Sequence, residues 1–181
     1  MTAANPLLVD DFRIPFDRIR AEHVVPATEA VLAEGNERLE AMASDTRTPT
    51  WDTVMAPLDE LVLFVSERLG PVGHLVSVAE SEELRAAYNA ILPEMTSFWS
   101  RLQLHQGAWA RVRVYAESEE ARGLDPVRSR HLDKTVRAFR RAGADLPEEK
   151  RRELEALKVE LARLEQRFSE NVLDETAGFE H

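Results

Sequence analysis

The chain has 181 residues, 44% of them hydrophobic and 31% charged, which suits one soluble helical or mixed domain and is too apolar for wholesale disorder. Its 33 acidic against 23 basic residues give a formal charge of -10, which argues against general nucleic-acid binding, since phosphate contact needs a net basic surface. No Cys is present, so disulfides, thiolate catalysis and Cys-ligated zinc or iron-sulfur centres are excluded.

The start, MTAANPLLVDDFRIPF, lacks a basic segment followed by a sustained apolar run, so it is not read as a secretory signal. No uninterrupted apolar stretch approaches the roughly 20 residues of a membrane span. A cytoplasmic protein without membrane or nucleic-acid partners is expected. Residues 1–20 read as an extended leader: Pro6 and Pro15 oppose regular helix, while Leu7, Leu8, Phe12, Ile14, Phe16 and Ile19 are apolar anchors for packing on the body. Residues 21–181 read as a single helical domain.

The first helix is predicted from Pro26 to Ala43, with Val31, Leu32, Leu39 and Met42 facing inward and Gly35-Asn36 weakening its middle. Thr50 is the expected N-cap of the second, which carries Trp51, Val54, Leu58, Leu61, Val65 and Leu69 at alternating spacings of three and four. Gly70-Pro71 is expected to break it, with a shorter helical piece through His74, Leu75 and Val78 to follow. The third has the clearest pattern: Leu84, Tyr88, Ile91, Met95, Phe98, Leu102, His105, Trp109 and Val112 form a heptad stripe, entered through Ser81, Glu82 and Glu83 and kinked at Pro93.

Asp125-Pro126 opens the fourth helix, whose Leu132, Val136 and Phe139 share a face before Gly143 ends it. The fifth starts at Pro147 and carries Leu154, Leu157, Leu161, Leu164, Phe168 and Val172. The fold class is therefore all-α: an antiparallel bundle of long helices with an extended N-terminal leader.

No chemistry stands out. The five His (His23, His74, His105, His131, His181) include no pair at metal-ligand spacing on one helix face. His105 on the apolar stripe, and His74 beside Leu75, read as buried, hydrogen-bonded core residues. Asp59 and Glu60 read as surface charges. The stretch from Arg128 to Arg152, nine basic residues against four acidic, reads as solvated outer faces of two helices. Trp51, Phe98 and Trp109 read as core, and Trp99 as part of a second packing face. P-loop, dinucleotide-binding and nucleophile-elbow motifs are all missing. No catalytic, metal or cofactor-binding residue is assigned to this chain.

Three phrases, in order, carry a family resemblance: NPLLVDDFRIPFDRIRAEHVVPATEAVL from Asn5; TWDTVMAPLDE from Thr50 with GPVGHLVSVAESEELRAAYNAILP from Gly70; and FRRAGADLPEEKRRELEALKVELARLEQRFSENVLDET from Phe139. Together they resemble the N-terminal region of the M3 family of zinc metallopeptidases, in particular its oligopeptidase A branch, related to thimet oligopeptidase and peptidyl-dipeptidase Dcp. The resemblance implies a neurolysin-like helical enzyme whose two lobes flank a narrow channel. It also implies a zinc held by an H-E-x-x-H helix and a more distant Glu, for hydrolysis of short peptides.

This chain has no H-E-x-x-H. The resemblance therefore implies a front portion that forms channel wall and restricts access, with FSENVLDETAGFEH at the hand-over to the catalytic part of the same polypeptide. Zinc is expected in the full enzyme and not in this chain, which alone is expected to be inactive. A free-standing helical peptide- or protein-binding module, and a half completed in trans by a separate catalytic half, remain alternatives. Apolar surface meant for missing partners predicts weak self-association of the isolated chain.

Overall fold

The computed structural model describes residues 5–9, 13–79 and 81–177, and every regular element among them is helical. Single 3-10 turns at Pro6–Leu8 and Phe16–Arg18 precede the helices α1 (Ala21–Ala43), α2 (Ala56–Val78), α3 (Glu82–Leu104), α4 (Gln106–Ala116), α5 (Glu119–Arg122), α6 (Pro126–Ala142) and α7 (Glu148–Ala177). A turn of π-helix, Trp51–Met55, leads into α2.

Local capping chemistry sets the boundaries. Thr50 accepts from the Thr53 N–H, Ser81 from Leu84, Ser118 from Ala121, and Asp125 from both Val127 and Arg128, so orphan donors at four helix starts find side-chain oxygens. α6 stops at Gly143, the one described residue with positive φ, at 100°. A Cβ there would lie 2.7 Å from the Leu146 side chain and 3.0 Å from Leu154. Gly143→Ala is accordingly expected to cost about 1–2 kcal/mol, whereas Gly123→Ala, at φ -91°, should stay within about 0.5 kcal/mol; urea unfolding of both variants checks this.

α2 runs antiparallel to α1 and α3, so α1 and α3 run parallel: Gly35 meets Phe98 and Glu40 meets His105. The larger core cluster joins Val31, Leu39, Leu61, Val65, Phe98, Trp109, Val112 and Phe139, with the Trp109 and Phe139 rings stacked at 5.7 Å. A second cluster joins Leu7 and Ile19 to Val24, Ala27, Val72, Val76, Leu84 and Ile91. Of the expected leader anchors, Leu7 and Ile19 are buried, Leu8, Ile14 and Phe16 are exposed, and Phe12 lies outside the described residues.

Several expectations are corrected. α1 begins at Ala21, a turn and a half before Pro26, because the Arg20 N–H donates to His23 Nδ1 at 3.0 Å and Val24 and Ala27 are drawn into the core. α2 passes through Gly70-Pro71: burial of Leu69, Pro71, Val72 and Val76 holds both halves in line despite the lost backbone donor. The third predicted helix divides at His105, which is extended (ψ 113°) and caps α4 by accepting from Ala108 N–H, while its Nε2 meets Glu40 Oε1 at 3.1 Å. His74 is exposed and lies against Phe16, ring centroids 5.6 Å apart.

By length and mean hydropathy the helical stretch Trp51–Val78 could cross a membrane, yet Leu58, Leu61, Val65, Leu69 and Val72 within it are buried in the two core clusters.

Candidate interaction surface

The helix α7 stands on α3 through its polar side. Arg85 reaches Asp174 at 2.8 Å, Asn89 donates to Glu170 at 2.6 Å, and Lys158 donates to Gln103 at 3.4 Å, which fixes the two helices as antiparallel. The Arg85 hydrogen bond draws the Asp174 carboxyl below its usual pKa, and partial burial lowers that of Lys158.

The apolar side of the same helix faces outward. Leu157, Leu161, Leu164, Phe168 and Val172 are exposed, Leu157 at 67% and Phe168 at 69%. Only Leu154 of the predicted stripe is half-buried, near Gly143. A row of this kind is far from the scattered single apolar residues of an ordinary surface.

The imidazoles are dispersed. His131 Nε2 meets Asp59 Oδ1 at 2.8 Å, His105 meets Glu40, and His23 lies 3.7 Å from Glu22. Each has one carboxylate, and among the described residues no group of three or more potential ligands is gathered. A zinc site needs at least three protein ligands, so these residues do not fit one. His181 lies outside the described residues. Glu60 lines a shallow cleft of about 290 Å³ with Arg38, Met42, Asp45, Arg47 and Thr53, open to solvent.

Beneath that cleft lies a polar cluster without a sequence signal of its own. Arg111 is 8% exposed; its guanidinium donates to the carbonyls of Asp45, Arg47 (3.1 Å) and Thr53 (3.4 Å) and lies 3.7 Å from the Asp45 carboxylate. It ties the α1–α2 connection to α4 from a position between Trp109 and Val112. Hydrogen bonds from Arg47 hold the Asp45 carboxyl down at about 2. Nearby, burial first and then Glu120, 3.3 Å away, push the Tyr115 phenol up to about 12. The basic residues Arg130, Lys134, Arg137 and Arg141 are exposed along α6, while Arg128 and Arg140 cover Trp51 and Trp109. Trp51 is half-buried; Phe98 and Trp109 are buried, and Trp99 makes a T-shaped contact with Phe98.

Residues 28–151 match the family described as neurolysin/thimet oligopeptidase, N-terminal domain. The chain is 32% identical to Oligopeptidase A of Escherichia coli over 97% of its own length and 26% of that protein's. It is 34% identical to the organellar (chloroplastic/mitochondrial) oligopeptidase A of Arabidopsis thaliana, over 98% of this chain and 22% of that one. Similarity extends at 26% identity to a dipeptidyl carboxypeptidase of Salmonella typhimurium, covering 94% of this chain and 26% of that protein. The chain thus spans about a quarter of the length of the curated relatives it matches.

Proposed function

The chain belongs to the neurolysin/thimet oligopeptidase N-terminal domain family, and from that premise we propose that it is the access domain of a zinc-dependent oligopeptidase of short peptides. In this reading residues 1–20 are a leader packed on a single helical domain, 21–181, that forms one wall of the substrate channel. Zinc and the catalytic residues belong to the remainder of the enzyme, outside these residues. The wall acts by exclusion: a narrow passage admits short flexible peptides and rejects folded proteins, which selects by size without a side chain at the reacting bond.

The observation that carries this reading is the end-to-end alignment of the chain with about a quarter of each oligopeptidase. The outward apolar face of α7 supports it as the surface on which the remainder packs. A cytoplasmic setting belongs to the same reading, supported by a 32% identical Arabidopsis thaliana relative whose name is "Probable cytosolic oligopeptidase A".

The test is direct. The purified chain, offered a short fluorogenic peptide with zinc, should give no turnover above a chelator-treated control. Zinc-dependent cleavage that follows the chain through every purification step would sink the proposal.

A further inference from the structure

We propose that the isolated chain forms a two-fold symmetric dimer in which the α7 helices of two copies pair antiparallel through Leu157, Leu161, Leu164 and Phe168. The proposal concerns the chain by itself, where the face that the proposed function gives to the remainder of the enzyme is open to a second copy; the two occupants exclude one another.

The seam has the right period. The steps from 157 to 161, 164 and 168 are four, three and four, the spacing with which two helices interlock side chains. All four residues are exposed: α3 holds Asp174 and Glu170 through Arg85 and Asn89 and reaches Lys158, at the edge of the row, only through Gln103. A second helix can therefore approach along the outer face without displacing α3.

The flanking charges choose the partner and its direction. With the two-fold axis between residues 162 and 163, Leu161 meets Leu164 of the second copy and Leu157 meets Phe168. On one side of that seam Glu160 falls beside Arg167 of the second copy; on the other, Lys158 falls beside Glu165. Symmetry repeats each pair, so four opposite-charge contacts flank the inner seam; farther out the same offset sets Glu153 beside Asp174 of the second copy, whose charge is already paired with Arg85 at 2.8 Å. The parallel alternative, with helices in register, places Glu160 beside Glu165 of the other copy and offsets that repulsion only with Glu153 beside Lys158, one favourable kind of contact against two in the antiparallel pair. Charge pattern and apolar spacing thus favour the same self-complementary, closed arrangement.

Sedimentation equilibrium should show a monomer–dimer equilibrium, while a chain that remains monomeric at high concentration overturns the pairing and leaves the face to the remainder of a longer polypeptide. Arg167→Glu should raise the dissociation constant roughly tenfold, and Glu160→Arg added to it should restore association; a double swap that fails to restore it contradicts the assigned contacts. Direction is read separately, since the chain has no native Cys. Leu157→Cys and Phe168→Cys chains, oxidised as a mixture, should cross-link to each other and not to themselves, because like positions lie about 16 Å apart along antiparallel helices. Preferential self-cross-linking of Leu157→Cys overturns the antiparallel arrangement. These substitutions sit on an exposed face, and far-UV circular dichroism verifies that each variant keeps its helices.

Discussion

Phe98→Ala is expected to lower the unfolding free energy by about 3–5 kcal/mol, a large share of the roughly 5–15 kcal/mol available to a domain of this kind. Phe98 is fully buried where α1, α2 and α3 converge. Its ring lies against Gly35 of α1, where an added Cβ would come within 3.0 Å of the ring and 3.4 Å of Val65, and it makes a T-shaped contact with Trp99, ring centroids 5.3 Å apart. Truncation removes that contact and leaves a cavity that three rigid helices cannot close.

The same geometry predicts a coupling. Gly35→Ala crowds the ring in the native background, but in Phe98→Ala the obstruction is gone and the gain of up to about 1 kcal/mol in helix propensity can be realised. Urea midpoints of the two single variants and the double variant measure this; strict additivity would contradict the close approach.

Arg111→Ala is expected to cost about 2–4 kcal/mol, because it strips the donor from three carbonyls and a cationic neighbour from Asp45 at once. Arg111→Lys should recover only part of the loss, since one ammonium cannot reproduce a fork that spans Asp45, Arg47 and Thr53. A linked pH effect follows from Asp45, whose carboxyl is held at about 2 against an ordinary 3.8. A depressed folded-state pKa contributes stability above the unfolded value, and that contribution is lost as pH falls from about 4 through about 2. Asp45→Asn should remove this component, so its urea midpoint should fall less over that interval than that of the parent chain.

The features legible in the sequence were those whose cause is local. Thr50, Ser81 and Asp125 each bond to backbone within three residues, and Gly143 answers a single backbone angle, so residue type and position sufficed. The stripe from Leu84 to Leu102 was legible because α3 is packed by α1 and α2 along that whole side. Gly70-Pro71 and Pro26 misled because tertiary burial on both sides of each proline outweighs one lost hydrogen bond. His105 lay on the heptad, yet its ring does more as a cap for α4 than as core filling.

Helix α7 shows the limit most clearly. Its periodicity announced two faces but not which neighbour each would take. That choice rests on Arg85, Asn89 and Gln103, at least 55 residues away in the chain, which select the polar face. Arg111 was equally silent, since its partners are carbonyls of the loop and π-helical turn between α1 and α2, 58 to 66 residues earlier. The family phrases, by contrast, needed no geometry, and the match over residues 28–151 agrees with them.

The proposed role is that of an access domain of an oligopeptidase, seated through the outward face of α7. The most direct measurement replaces the matching quarter of the Escherichia coli Oligopeptidase A with this chain, with and without Leu161→Glu and Leu164→Glu, and follows hydrolysis of a short peptide. The expected result is an active graft whose activity is lost in the charged variant, while the isolated chain carrying the same substitutions, compared with the parent at a concentration where both are monomeric, unfolds at an unchanged urea concentration. A charged graft as active as the unmodified one, or a correctly folded graft without peptide hydrolysis, would contradict it.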